Sequence, residues 1–421
     1  MNEIISYEIQ LNFTRSKGKV ADIIRRLREM HKKVPDVADA VKPEDYTMDA
    51  EEHTEEDRSE IEGEYKKSLL GVGYDPADEE RSGSFLQLDH SVLCSSAVQK
   101  GIEVLDSSEA LKKYSWLSDY FWRAVPADKD IYTKEVAEKQ TGGYFVRAAP
   151  GVKSIFPLQA CLFIGKERLS QNVHNIVIVE EGAELHIITG CSTAQDVQSA
   201  MHLGVSEFYV KKGATLTYTM IHNWAPEVVV RPRSGIIVEE SGTYINNYIL
   251  MKPVKDVQMY PVTYCGKNAR TMTQTVIHAS QDSKIDIGSK VVLEGENSRA
   301  ELISRSIATD QADVTARGAI VGSAPGVKGH LECIGLMLSN TARIHSVPEL
   351  EATVEDAELS HEAAVGRISE EEIAYLTARG LSEDEAAGAI VRGFLNVDIK
   401  GLPPALGAEV RKMIRMSADA L

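Results

Sequence analysis

A short unit returns through the middle of this chain: VEEGAELHI from Val179, VKKGATLTY from Val210 and VEESGTYIN from Val238, at intervals of 31 and 28 residues. A looser copy, LEGENSRAEL, begins at Leu293, 55 residues on and close to two more periods. Repeats of this length mean stacked units, each burying its apolar face only against its neighbours. Helical repeats have similar periods, but here the texture from about Gly142 to Val354 is β-branched and turn-rich, with little helical periodicity. A propeller blade needs about 40 residues or more, and the period is too long and irregular for a hexapeptide β-helix. The chain is therefore expected to be mainly β, with a parallel β-helix over residues 142–360 between N-terminal and C-terminal helical regions.

Residues 1–141 read as a mixed helical region with an acidic linker. Val20, Ile23, Ile24, Leu27 and Met30 follow one helical face, opposite Arg25, Arg26, Arg28, Lys32 and Lys33. From Pro43 to Glu80 the composition turns acidic and polar, the pattern of a mobile linker or loosely helical segment. The stretch SSEALKKYSWLSDYFWRAV, residues 107–125, predicts a helix whose aromatic residues pack against the next domain. Helical texture returns after His361, so residues 361–421 read as a helical domain. Ser369 with Glu372 and Ser382 with Glu385 form capping-box patterns, and Gly380 suits a helix C-terminus. Pro403 and Pro404 open a last helix through Met416.

Charge and cysteine usage restrict the partners. A net charge of −17 with a pI near 5.2 argues against nucleic acid and against acidic membrane surfaces. The N-terminus lacks a basic segment followed by an apolar one, and no apolar run approaches the ~18 residues of a membrane span, so a soluble cytoplasmic protein is expected. Cys94, Cys161, Cys191, Cys265 and Cys333 are scattered singly and are odd in number, which fits a reducing compartment better than a disulfide framework.

The chemistry concentrates at the end of the β-patterned region. Between Gly329 and Glu362 stand Cys333, His345, His361 and Glu362. A thiolate, imidazoles and a carboxylate are ligand types for iron or zinc, although their spacing is not that of a zinc finger or a CxxC site. Glu332 opposes thiolate formation at Cys333, and Lys328, Arg343 and His345 offset it if the fold turns them inward. The chain has no GxxxxGK[ST] run, so any nucleotide hydrolysis belongs to a partner and the chain reads as non-catalytic. Trp224, isolated at a turn, reads as structural packing.

Four stretches resemble the SufB/SufD family of iron-sulfur cluster assembly proteins. They are GGYFVRAAPGV with FPL (residues 142–158), ITGCSTAQ around Cys191 with HNWAPE around Trp224, Cys333 through IHSVPELEA to SHEA, and VGRISEEEIAYLTARGLSEDEAAGAIVRGF (residues 365–394). The resemblance implies a right-handed parallel β-helix whose C-terminal helical domain docks SufC, an ATP-binding-cassette ATPase. It implies pairing with a second SufB/SufD-type subunit, identical or not, and a transient iron-sulfur cluster built near their interface with sulfur from a donor. It also implies Cys191 as sulfur entry point and Cys333 as assembly site; by residue type, His361 and Glu362 are the further ligand candidates, with His345 an additional one. Phe163, Ile164 and Gly165 replace the Arg-x-Asn of SufB proteins, His222 replaces a glutamine, and Ser360 replaces a carboxylate.

One cysteine in the candidate stretch is too few for a cluster that ordinarily takes four ligands, so mixed ligands or a second chain are required. Cys191 and Cys333 are about five periods apart, ~24 Å at the strand spacing, so sulfur transfer between them needs a tunnel or carrier. Small and polar side chains are therefore expected inside the β-helix. Two rival readings are a SufD-like supporting subunit that binds SufC and aids iron delivery without holding the cluster, and a β-helix carbohydrate-active enzyme. The second requires a sugar-stacking aromatic groove beside clustered carboxylates, whereas aromatics are only 6% of the chain.

Overall fold

Each recurring unit marks a corner at which the chain steps from one sheet to the other. Gly182, Gly213, Ser241, Asn268, Asn297 and Gly326 turn successive copies of this corner with φ of 67°, 63°, 58°, 57°, 59° and 70°. Left-handed backbone is free to glycine and tolerated by asparagine, which explains the composition of the unit. The copy between Val238 and Leu293, CGKNARTM from Cys265, escapes the sequence pattern because Cys265 and Gly266 stand where the other copies have an aliphatic and a charged residue, although Asn268 makes the same turn.

The computed structural model describes residues 41–250 and 252–395. It is mainly β, 47% strand, and its body is a parallel β-solenoid of about 8 turns with helices on either side in sequence. The first sheet runs in the order Ser91–Ala97, Gly83–Leu88, Leu158–Ile164, Glu184–Thr193, Thr215–Asn223, Thr243–Leu250, Arg270–Ala279, Arg299–Ala308, Lys328–Met337, Glu358–Gly366. The second sheet begins at Ile102–Asp106 and Tyr144–Ala148, and its last strand in sequence is Arg343–Ala352. Pairing is parallel throughout except where Ser91–Ala97 returns on Gly83–Leu88 and Ile102–Asp106 meets Tyr144–Ala148. The parallel strands stack without register slips, so one residue position keeps one face from turn to turn: Leu185, Leu216 and Tyr244 form one such inward row, all buried.

Several expectations need amendment. The sheets begin at Gly83 rather than near Gly142, because SFLQL and the strands after it are apolar enough to cap the first turns. Within residues 46–80, the acidic segment is packed rather than mobile: the short helices Arg58–Glu64 and Lys66–Leu70 bury Ile61 and Leu69, Val72 and Tyr74 follow them into the core, and Tyr65 lies 4.8 Å from the Phe163 ring. Four well-spaced apolar residues anchor it despite the charge between them. The stretch over 107–125 divides into a helix, Ser107–Lys113, and a 3-10 turn, Ser115–Asp119. Its aromatic residues do pack on the solenoid, with Tyr114 and Trp116 against Phe145 and Tyr120 against Tyr209.

At the other end the solenoid extends to Gly366, so His361 and Glu362 sit in mid-strand and not at a helix start. Helices Glu370–Thr377 and Glu383–Leu395 follow, the first with the expected capping box at Ser369 and the second preceded by reciprocal Ser382–Glu385 hydrogen bonds. The helices expected over residues 15–33 and 403–416 lie outside the described residues.

Candidate functional site

Strand parity decides how the candidate residues are arranged. In the last two strands of the first sheet, Leu331 pairs with His361, Glu332 with Glu362 and Cys333 with Ala363. Leu331 is fully buried and packs against Gly318 of the opposite sheet, so Leu331, Cys333 and His361 face the interior. His330, Glu332, Ser360 and Glu362 alternate to the outer face. His345 pairs with Thr315 and is exposed on the outer face of the second sheet. The structure brings Cys333 and His361 together on one surface and separates both from Glu362 and His345.

Cys333 is 4% exposed, between Ser304 and Ala363 on the neighbouring strands. Burial raises its thiol pKa, the hydroxyl of Ser346 on the opposite sheet lowers it, and Glu332 raises it again. Lys328, Arg343 and His345 do not turn inward to assist. All three are on the outside, and Lys328 pairs with Glu358 at 2.6 Å. Burial and the neighbouring His330 lower the pKa of His361, against a smaller opposing effect of Glu362, and its Nε2 is shielded without a hydrogen-bond partner. A neutral imidazole with a free nitrogen is the form that coordinates metal.

Cys191 lies inside the solenoid between Leu162 and His222, fully buried, and burial pushes its thiol far above the ordinary range. Nδ1 of His222 is 2.9 Å from the Tyr248 hydroxyl, and Nδ1 of His202 is 3.0 Å from Oε1 of Gln171. Burial pushes the His202 pKa down to about 3 and lowers His222 strongly, so both imidazoles are neutral. Trp224 lies between these rings, 5.1 Å from His202 and 5.5 Å from His222, in a packing role. Phe163 is buried against Tyr65.

A row of inward positions connects the two cysteines. Tyr248, Thr275, Ser304 and Cys333 occupy one register position on four successive strands, and Tyr248 reaches His222, the strand neighbour of Cys191. Five strand steps separate Glu184–Thr193 from Lys328–Met337, ~24 Å at the spacing of stacked strands. Thr275 and Ser304 face inward yet retain accessible surface, so the interior is incompletely filled along this row. A close-packed structural core at these positions would carry aliphatic side chains.

The described strands at this end of the solenoid carry unpaired edges. Among the described residues, Arg343–Ala352 and Glu358–Gly366 each pair on one side only, and most of their positions are exposed. Leu350 and Val365 add exposed apolar surface, while Glu349, Glu351, Glu358 and Glu362 charge the edges. Unpaired strand edges of this length are templates for pairing with another chain.

Comparison with known proteins gives a coherent answer. The model of the SUF system FeS cluster assembly SufBD core domain matches residues 162–394. An iron-sulfur cluster assembly SufBD family protein of Methanothermobacter thermautotrophicus is 53% identical over 379 residues, 89% of this chain and 92% of that protein. The chain belongs to the SufBD family. Another SufBD family protein, from Archaeoglobus fulgidus, is 50% identical over 85% of this chain and 98% of its own length. The iron-sulfur cluster assembly protein SufB of Bacillus subtilis is 28% identical over 89% of this chain and 82% of its own. These matches give no support to a carbohydrate-active enzyme. None of the described helices is long and apolar enough to cross a membrane.

The outer face holds a grouping that the sequence reading passed over. One potential ligand atom from each of His330, Glu332 and Glu362 lies within 4.8 Å of the others. The signal was present in the sequence, because Glu332 and Glu362 are 30 residues apart, one period of the solenoid, and His330 shares their strand parity.

Proposed function

We propose that this SufBD protein is a scaffold subunit on which a transient iron-sulfur cluster is assembled, with Cys333 as the residue that receives sulfur and His361 as its inner-face companion. The observation that carries the proposal is the hydroxyl-lined row from Tyr248 through Thr275 and Ser304 to Cys333, joined by His222 to Cys191. Sulfur delivered to Cys191 by a donor protein as a persulfide passes its outer sulfur to a small thiol carrier in this row, which frees the Cys191 thiol, and from that carrier to the Cys333 thiol, which frees the carrier, since ~24 Å excludes direct exchange between the two thiols. His222 and Tyr248 offer hydrogen bonds at the entry, and Ser346 stabilises the thiolate of Cys333 at the exit.

Cluster formation uses more than one chain. Cys333 and His361 together supply two ligands, and the open strand edges suit pairing with a second SufB/SufD-type subunit that contributes others. The C-terminal helices are the docking element for the ATPase SufC, with exposed Tyr375 and Leu381 offered to it. ATP hydrolysis in SufC drives opening of the end of the solenoid, which exposes Cys333; the chain itself is non-catalytic and works in the cytoplasm. Mixed thiolate and imidazole ligation is weaker than four thiolates, as a site that must release its product requires.

The complete burial of Cys191 and the aromatic replacement at Phe163 favour a second reading, a supporting subunit that binds SufC without holding a cluster. Co-purification with SufC, followed by anaerobic reconstitution with iron and sulfide, separates the two. A scaffold develops visible charge-transfer absorption in the complex. A chain that binds SufC and stays colourless is the supporting subunit.

A further inference from the structure

We propose that His330, Glu332 and Glu362 form a divalent-metal site on the outer face of the first sheet, separate from Cys333 and His361 on the inner face. It deepens the scaffold reading by naming where iron first docks, while ion binding itself stands independently of cluster assembly. The argument begins with the register. Glu332 and Glu362 are direct partners on adjacent parallel strands, which sets two carboxylates side by side on one surface. Like charges directly opposite in a sheet are destabilising unless a cation lies between them.

Arg305 meets this need only in part. Its Nη2 donates to Oε1 of Glu332 at 2.7 Å and leaves the other oxygen of that carboxylate free. Glu362 is exposed and makes no hydrogen bond or ion pair among the described residues. His330, two residues before Glu332 on the same face, completes the set. Its Nδ1 lies 2.9 Å from Oγ of Ser360, so the ring is oriented by a neighbour and Nε2 is left for an ion. Orientation of a ligating imidazole through its second nitrogen is the usual arrangement around bound metals.

Donor type and charge identify the ligand. One imidazole and two carboxylates suit a first-row divalent ion such as Fe(II) or Mn(II), and lack the sulfur that would select a softer one. Arg305 reduces the local charge of the two carboxylates to about one negative unit, which keeps binding weak and exchangeable. The site opens into a groove of about 900 Å³ on the outer face, to which Glu301, His330 and Ser360 contribute, so an ion reaches it from solvent without entering the solenoid. Ser360 supplies the hydroxyl that holds His330.

The test uses the full-length chain, metal-free and anaerobic, titrated with Mn(II) and followed by loss of the free-ion electron paramagnetic resonance signal, then repeated with Fe(II) by calorimetry. One ion per chain is expected. His330→Ala and Glu332→Gln are expected to weaken binding at least about tenfold, and Ser360→Ala about tenfold through loss of ring orientation. Cys333→Ala is expected to bind the ion as wild type does. Circular dichroism of each variant guards against misfolding, and His330→Gln provides a milder substitution. Absence of stoichiometric binding in the wild type, equal binding in the His330 and Glu332 variants, or loss of the ion in Cys333→Ala overturns the proposal. Failure of cluster assembly with ion binding intact would count against the scaffold reading and not against this site.

Discussion

His361 and Glu362 are consecutive in the chain and face opposite sides of one sheet: His361 lies over Leu331 inside the solenoid, and Glu362 lies beside Glu332 outside it. They therefore cannot bind one ion with Cys333 within a single undistorted chain. His361→Ala is expected to impair cluster assembly and leave Mn(II) binding unchanged, whereas Glu362→Gln is expected to weaken Mn(II) binding about tenfold or more. Parallel titrations and reconstitutions of both variants check this. A common loss of both activities in both variants would mean that the strand rotates or reopens during function.

The pH dependence of stability should carry the mark of the buried histidines. His202 is pushed down to about 3 and His222 in the same direction, while in the unfolded chain both titrate near the ordinary histidine value of 6.5. The unfolded state therefore binds more protons below pH 6.5, and the folded state loses stability as pH falls from 6.5 towards 3. The slope is about 1.4 kcal/mol per pH unit for each imidazole. Urea midpoints between pH 7 and pH 5 measure it, and His202→Gln should remove one histidine's share of the slope. An unchanged slope in that variant contradicts neutral burial of His202.

Gly190, next to Cys191, leaves room for the N-terminal segment: a Cβ there would stand 2.5 Å from the backbone oxygen of Val72. Gly190→Ala should cost about 1–3 kcal/mol through overpacking, and residues 46–78 should become sensitive to limited proteolysis first. Wild-type protease resistance would show that this contact does not hold the segment.

Glu207 is a buried clamp for the aromatic segment between Ile102–Asp106 and Tyr144–Ala148. Its carboxylate accepts from the backbone N–H of Trp122, Ala124 and Val125 at 2.6, 2.6 and 3.1 Å and meets His174 at 2.9 Å. Glu207→Ala strands those donors and the imidazole and should cost about 3–5 kcal/mol, read by urea denaturation with tryptophan fluorescence. A loss below about 1 kcal/mol would show that the segment is held by its ring contacts alone.

The architecture was legible because the corner is local: a left-handed residue such as Gly182 or Gly213 leaves its trace in any copy of the unit. The copy turned by Asn268 was missed because Cys265 and Gly266 replace the aliphatic and charged residues that open the others. The packed state of residues 46–80 was illegible for a related reason, since composition averages over Ile61, Leu69, Val72 and Tyr74 and reports only the charge between them. Cys333, His361 and Glu362 were recognisable as residues, but their arrangement depends on which strand face each takes. Had the strand been read through to Gly366, parity alone would have placed His361 inside and Glu362 outside. The outer grouping of His330 and Glu332 with Glu362 follows from the 30-residue period, once that period is applied to polar positions as well as apolar ones.

The central claim is that Cys333 holds the nascent cluster. Anaerobic reconstitution of the complex with SufC, using Mössbauer-active iron and sulfide, should give a cluster quadrupole doublet and visible absorption in the wild type. Both signals should be absent in Cys333→Ala, with SufC binding retained. A cluster of undiminished intensity in Cys333→Ala would contradict the account and place assembly elsewhere on the chain.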